Sequence, residues 1–167
     1  MDASLFTGVK FFDKMARVTV VFVLRDMMDN EGGFYSAEDS DSLHSDKKLH
    51  HTEKKKAEGA FYVWEQKEIK DLLGDGPGEI FSYRYGVKPE GNAEFDPFNE
   101  FRGKNILFNA HSIDEFAKKF DLSKEDIETS LIQSKLKLLA VRSKRHRPHL
   151  DDKVLTSWNG LMISALS

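Results

Sequence analysis

The most constraining feature of this sequence is one long periodic segment, Ser123 to about Arg145. Ser123 with Asp126 forms a capping pattern. Behind it Ile127, Leu131, Leu138 and Val141 recur at helical spacing, with Ile132, Leu136 and Leu139 beside them. An amphipathic helix of this length is marginal alone and needs other apolar surfaces against its stripe. The chain is therefore expected to be mainly α-helical, with helices packed on helices.

The remaining segments agree. Ser112 with Glu115 is a second capping box, ahead of Ile113, Phe116 and Phe120. Glu65 to Leu73 reads as a helix stopped by Gly74, and Pro77 can open the next, which carries Ile80, Phe81, Tyr83 and Tyr85 to Gly86. Asp13 to Asp29 reads as a core helix on Met15, Val18, Phe22 and Val23, although its valines also suit a strand. The Asn30-Glu-Gly-Gly33 break ends it, with Gly32 or Gly33 free to take positive φ. Ser157 to Leu166 restarts a helix that runs out without a cap, the pattern expected of a truncated domain. Ala60 to Trp64 has a strand profile and is expected to pair with Gly33-Phe-Tyr35 in a small β-hairpin. Residues 43–58 are expected to be a mobile polar insert, Glu90 to Lys104 irregular, and Asn105 to Phe108 a short strand.

Composition narrows function mostly by exclusion. The 167 residues carry a formal net charge of -3, so no global field favours nucleic acid or a membrane surface. Val18 to Leu24 is too short to span a bilayer and is followed by Arg25 and Asp26. With no cysteine there is no disulfide or thiolate nucleophile, which fits a reducing, cytoplasmic setting. His44, His50 and His51 lack a matching ligand cluster, so neither a metal nor a cofactor is expected. Gly74-Asp-Gly-Pro-Gly78 follows a helix and lacks the Gly-Lys-Ser/Thr of a phosphate loop. Arg142 to Arg147 is expected to be a solvated helix end.

Two acidic stretches could carry chemistry. Glu38, Asp39 and Asp41 place three carboxylates within four residues, and such crowding can raise a pKa far enough to make a general acid. The alternative for the same residues is a solvated acidic turn. Asp151 and Asp152 are adjacent, so in extended backbone they point to opposite sides and one at most faces a cavity. Beside them stand His149, a base near neutral pH, Lys153, Asn159, and Trp158, whose ring could stack on a sugar.

Three motifs occur in order: Gly-Gly-Phe-Tyr-Ser-Ala-Glu-Asp-x-Asp-Ser ending at Ser42, Glu-Gly-Ala-Phe-Tyr-Val-Trp ending at Trp64, and Arg-Pro-His-Leu-Asp-Asp-Lys-x-Leu-Thr-Ser-Trp-Asn-Gly-Leu-Met ending at Met162. With them the chain, from about Ala16 onward, resembles the spermatogenesis-associated protein 20 family, whose bacterial members are thioredoxin-domain-containing proteins. The resemblance implies an (α/α)6 toroid of the six-hairpin glycosidase type following a thioredoxin-like domain. That domain and its cysteines have no counterpart here, so redox chemistry does not carry over. Residues 1–167 would then be an incomplete toroid.

By the same resemblance, both acidic stretches line the toroid's cavity. Glu38 or Asp39, with Asp41, would supply an acid/base, Asp151 or Asp152 its partner, and Tyr35, Trp64, His149, Lys153, Trp158 and Asn159 would hold the ligand. The expected function is sugar isomerisation or glycoside hydrolysis, with this fragment inactive alone. The rival is a non-catalytic binding or interaction protein whose acidic motifs are structural. Expected partners are a carbohydrate and either the rest of the toroid or a second copy, through exposed helix faces.

Overall fold

The computed structural model describes residues 2–43, 56–97 and 99–167. Seven helices and four short strands follow in the order α1 (Asp2–Thr7), α2 (Lys10–Asp26), β1 (Ala37–Glu38), β2 (Asp41–Leu43), β3 (Lys56–Glu58), α3 (Gln66–Leu73), α4 (Asp75–Arg84), α5 (Ile113–Phe120), α6 (Lys124–Arg142), β4 (Leu150–Asp151) and α7 (Thr156–Leu166) among the described residues. The chain is mainly helical, as its periodicity predicts. It divides into two compact units, one made of residues 1–39 and 149–167, the other of residues 40–148.

The second unit holds the core. Trp64, Ile69, Ile80, Phe81, Val87, Phe116, Ile127, Leu131 and Leu138 form one buried cluster. On α6 Ile127, Leu131 and Leu138 thus face inward as expected, whereas Ile132 and Leu136 from the same apolar set are exposed, and α3, α4 and α5 all pack against the helix. Gly74 (φ 83°) and Gly86 (φ 64°) end α3 and α4, positions where a side chain would be strained.

Helix starts follow local chemistry. Ser112 Oγ accepts from the Glu115 amide while the Glu115 carboxylate accepts from the Ser112 amide, at 3.3 and 2.6 Å. Those bonds hold the Glu115 carboxyl below its usual range, the Ser112 amide contributing most. Ser123 Oγ caps α6 by accepting from the Asp126 amide. Replacing Ser112 by alanine removes one side of a reciprocal cap, and a loss of about 1 kcal/mol is expected in urea unfolding. Ser112→Thr should retain most of the stability, and equal losses in both variants would show that the cap is not the cause.

The strands depart from expectation. The hairpin partners are β2 and β3, antiparallel with Asp41 opposite Glu58, Ser42 opposite Ala57 and Leu43 opposite Lys56. Gly33 to Tyr35 instead folds back on the end of α2, with a bridge between Met28 and Phe34. Trp64 bridges Asn105, so Asn105 to Phe108 supplies one paired position and no strand. The short repeated Gly-x-Phe-Tyr is a poor guide because pairing depends on what each copy meets in space. Leu43 and Lys56–Glu58 belong to strands rather than a mobile insert. Residues 44–55, the rest of that insert, lie outside the described residues.

The first unit differs in kind. Its helices α2 and α7 have no buried residue, and Phe11, Val18 and Val21 on α2 with Leu161 and Ile163 on α7 are exposed. The Val18 to Leu24 run is helical as predicted, yet it is not a core helix within this chain. α2 also begins and ends three residues earlier than the periodicity suggested, and α6 stops at Arg142. No helix among the described residues is long and apolar enough to cross a membrane.

Candidate functional site

The first unit is held together by residues more than a hundred positions apart. β1 pairs with β4 antiparallel, Ala37 opposite Asp151 and Glu38 opposite Leu150. The Ser36 amide donates to the Asp151 carbonyl at 3.3 Å, and the Asp39 amide to the His149 carbonyl at 2.7 Å. Gly33 lies close to Val154, since a Cβ there would stand a tight 3.3 Å from the Val154 side chain. This ladder creates an open hollow of about 410 Å³ lined by Ala37, Glu38, Asp39, His149, Asp151 and Lys153.

Five of the sequence-predicted residues therefore share one hollow: Glu38, Asp39, His149, Asp151 and Lys153. Lys153 Nζ donates to Asp151 Oδ2 at 2.8 Å, and the Lys153 amide reaches Oδ1 at 3.3 Å. The lysine contact, with a smaller contribution from Ser36, holds the Asp151 carboxyl below the usual carboxylate range. The Lys153 ammonium is held up in turn, chiefly by its bond to Asp151. At neutral pH Asp151 is thus a carboxylate paired with an ammonium, suited to orienting hydroxyl groups or stabilising positive charge, not to donating a proton as a general acid.

Asp152 is exposed and does not line the hollow, which is the alternation that adjacent positions on an extended strand require. Asp29 is the main cause of the raised Tyr35 pKa and Asp151 of the raised Lys153 pKa, with the Asp152 charge adding the smallest share to each. Tyr35 donates its hydroxyl to Asp29 Oδ2. That bond, followed by the Glu31 amide, lowers the Asp29 pKa, and Asp29 raises that of Tyr35. Asn159 turns its amide onto the backbone, accepting from the Phe34 amide at 2.7 Å and donating to the carbonyls of Phe34 and Leu155 at 3.0 and 3.1 Å. Both donor hydrogens of Asn159 are thereby engaged within the protein.

Trp158 is 54% exposed on α7 and keeps an open aromatic surface. Asp41 lies in the second unit, opposite Glu58, with Ser40 Oγ donating to it at 3.2 Å. Trp64, expected to contact a ligand, is 2% exposed in the second unit's core with the Arg145 guanidinium 3.9 Å over its ring. It offers no surface to a sugar, because an aromatic within a shared motif serves a core as readily as a ligand. Two polar residues of the first unit escaped the sequence reading. Asp29 was legible as the head of an Asp-Asn-Glu-Gly turn, whereas nothing local marks Ser36. Among the described residues no group of three potential metal ligands comes together.

The fold and the site define a class: a mainly helical protein in which a two-pair antiparallel ladder gathers carboxylates, an imidazole and an ammonium around one hollow. No protein-family profile matches the sequence. Among curated proteins, human spermatogenesis-associated protein 20 is 35% identical over 169 residues, 95% of this chain and 21% of that protein. The mouse protein of the same name is 33% identical over 172 residues, 96% of this chain and 21% of that protein. An uncharacterised Caenorhabditis elegans protein is 38% identical over 144 residues, covering 81% of this chain and 19% of its own length. The chain belongs to the spermatogenesis-associated protein 20 family and spans about a fifth of the length of the curated relatives it matches.

Proposed function

We propose that the hollow between β1 and β4 is a carbohydrate site, in a domain built as part of an (α/α)6 toroid of the six-hairpin glycosidase type. The carrying observation is the convergence of Glu38, Asp39, His149, Asp151 and Lys153 around one hollow. Two carboxyl groups in different environments are what glycoside hydrolysis and sugar isomerisation need, one to give a proton and one to take it. Asp151, held as a carboxylate by Lys153, is assigned the charge-stabilising role of the partner carboxylate, and Glu38 or Asp39 the acid/base. Trp158 supplies a stacking surface. The toroid assignment draws support from successive helices packed on one another, α3 on α4 and α5 on α6. On this reading the apolar faces of α2 and α7 are covered by the rest of the longer protein, and the segment alone is inactive.

The test is a titration of this chain and of a full-length relative with neutral mono- and oligosaccharides, following amide shifts of residues 37–39 and 149–153 by NMR. Binding is expected to move those resonances, and Asp151→Asn with Glu38→Gln and Asp39→Asn should abolish turnover in the full-length relative. Unchanged turnover in the triple variant would end the proposal.

A second reading, a non-catalytic module with structural acids, is favoured by the internal pairing of Asp151 with Lys153 and of Asp29 with Tyr35. The same variants separate the two. A site acid costs little stability when removed, whereas a structural one lowers Tm clearly in Asp151→Asn.

A further inference from the structure

The β1–β4 ladder has only two residue pairs, Ala37 with Asp151 and Glu38 with Leu150. So short a ladder specifies its own register weakly, and a slip of one residue would turn each β1 side chain to the face opposite the one it now occupies. Something outside the ladder must fix the pairing. Three residues ahead of β1, Asn159 grips both backbone groups of Phe34, accepting at 2.7 Å and donating at 3.0 Å. Its remaining amide hydrogen reaches the carbonyl of Leu155, the residue that caps the start of α7, so the grip is itself anchored. On the other side, Tyr35 is tied to the end of α2 by its amide to the Met27 carbonyl at 2.8 Å and by its hydroxyl to Asp29.

We propose that Asn159 is a positioning residue which sets the register of β1 against β4 and so decides which carboxylates face Asp151 and Lys153. The inference rests on the hollow being the site, but the register itself can be measured without any ligand. Phe34, bonded to the Asn159 side chain, stands two positions before the Ser36 bond to Asp151 and five before the Asp39 bond to His149. Loss of the grip leaves the segment ahead of β1 tied only to the end of α2, by the Asp29 amide to the Gly33 carbonyl at 2.7 Å and by the Tyr35 contacts.

The experiment is amide hydrogen exchange and cross-strand nuclear Overhauser contacts in the full chain, comparing wild type, Asn159→Leu and Asn159→Asp. In Asn159→Leu the amides of Phe34, Ser36 and Asp39 are expected to exchange about 10- to 100-fold faster, the range that two lost hydrogen bonds give. The contact between Ala37 and Asp151 should weaken or be replaced by one in a shifted pairing. The Asn105 amide, in the second unit, should be unaffected. Asn159→Asp keeps the acceptor for Phe34 but cannot donate, so its changes should be smaller and in the same order. It serves as the deciding variant if Asn159→Leu disrupts the first unit as a whole. Faster exchange confined to Phe34, with Ser36, Asp39 and the Ala37–Asp151 contact unchanged, would overturn the proposal. Failure of any sugar to bind wild type would sink the carbohydrate reading and leave the register result standing.

Discussion

Arg145→Ala should lower the stability of the second unit by about 3–5 kcal/mol, the cost of leaving two carbonyls without their donor and uncovering an aromatic ring. The Arg145 side chain is only 8% exposed. Its Nη1 donates to the Phe61 carbonyl at 2.9 Å and the Val63 carbonyl at 2.8 Å, while Nη2 spans both Glu68 oxygens at 3.0 and 3.1 Å. The guanidinium plane also covers the Trp64 ring at 3.9 Å. Glu68 is 38% exposed, so its share of the ion pair is screened and small. Most of the loss comes from two buried carbonyls left without a donor and from the uncovered ring. Lysine restores the charge without the fork, so Arg145→Lys should recover less than half of the loss. Urea unfolding followed by Trp64 fluorescence, in a Trp158→Phe background, measures both. A deficit under about 1 kcal/mol in Arg145→Ala would mean a cation in solvent.

Asn105→Ala should cost about 2–4 kcal/mol through buried groups left unpaired. Asn105 is fully buried, and its carboxamide accepts from the Lys88 amide at 2.8 Å while donating to the Trp64 and Lys88 carbonyls, both at 3.1 Å. Its backbone exchanges two further bonds with Trp64, at 3.1 and 2.7 Å. One amide thus joins the end of the 59–64 turn to the segment after α4. Asn105→Asp makes a sharper test because the shape is kept and two donors become acceptors facing carbonyl oxygens. Those oxygens and the burial disfavour the carboxylate, so the aspartate's folded pKa lies above its unfolded value near 4. The unfolded state then holds fewer protons at neutral pH, and the destabilisation should shrink as pH falls from 7 toward 5. A deficit that does not change over that interval would show that the position is not dry.

Much of the second unit could be read from sequence because its signals are local. Ser112 with Glu115 and Ser123 with Asp126 cap helices wherever those residues fall, and Ile127, Leu131 and Leu138 share a helix face by spacing alone. Arg145 shows where such reading fails. In sequence it is one of several cations in a basic run at a helix end, and nothing nearby distinguishes it from Lys144. Its role follows from Phe61, Val63, Trp64 and Glu68, all about eighty positions away. Trp64 was misassigned to a ligand for the same reason, since an aromatic in an apolar run serves a core or a surface equally well.

The candidate site divides along the same line. The acidic residues and their alternation were legible, including that one of Asp151 and Asp152 must turn away. Tyr35 and Asn159 looked like ligand contacts because polar side chains in a motif invite that reading, yet both are engaged by the protein's own groups.

Sequence alone determined the helices, their caps and stops, and the identity of the two acidic stretches, since each depends on atoms within a few residues of one another. Tertiary structure decided that those stretches pair, that Arg145 and Asn105 are buried, and that α2 is exposed. Burial and partnership belong to contacts between distant parts of the chain, whose free energy no local window contains.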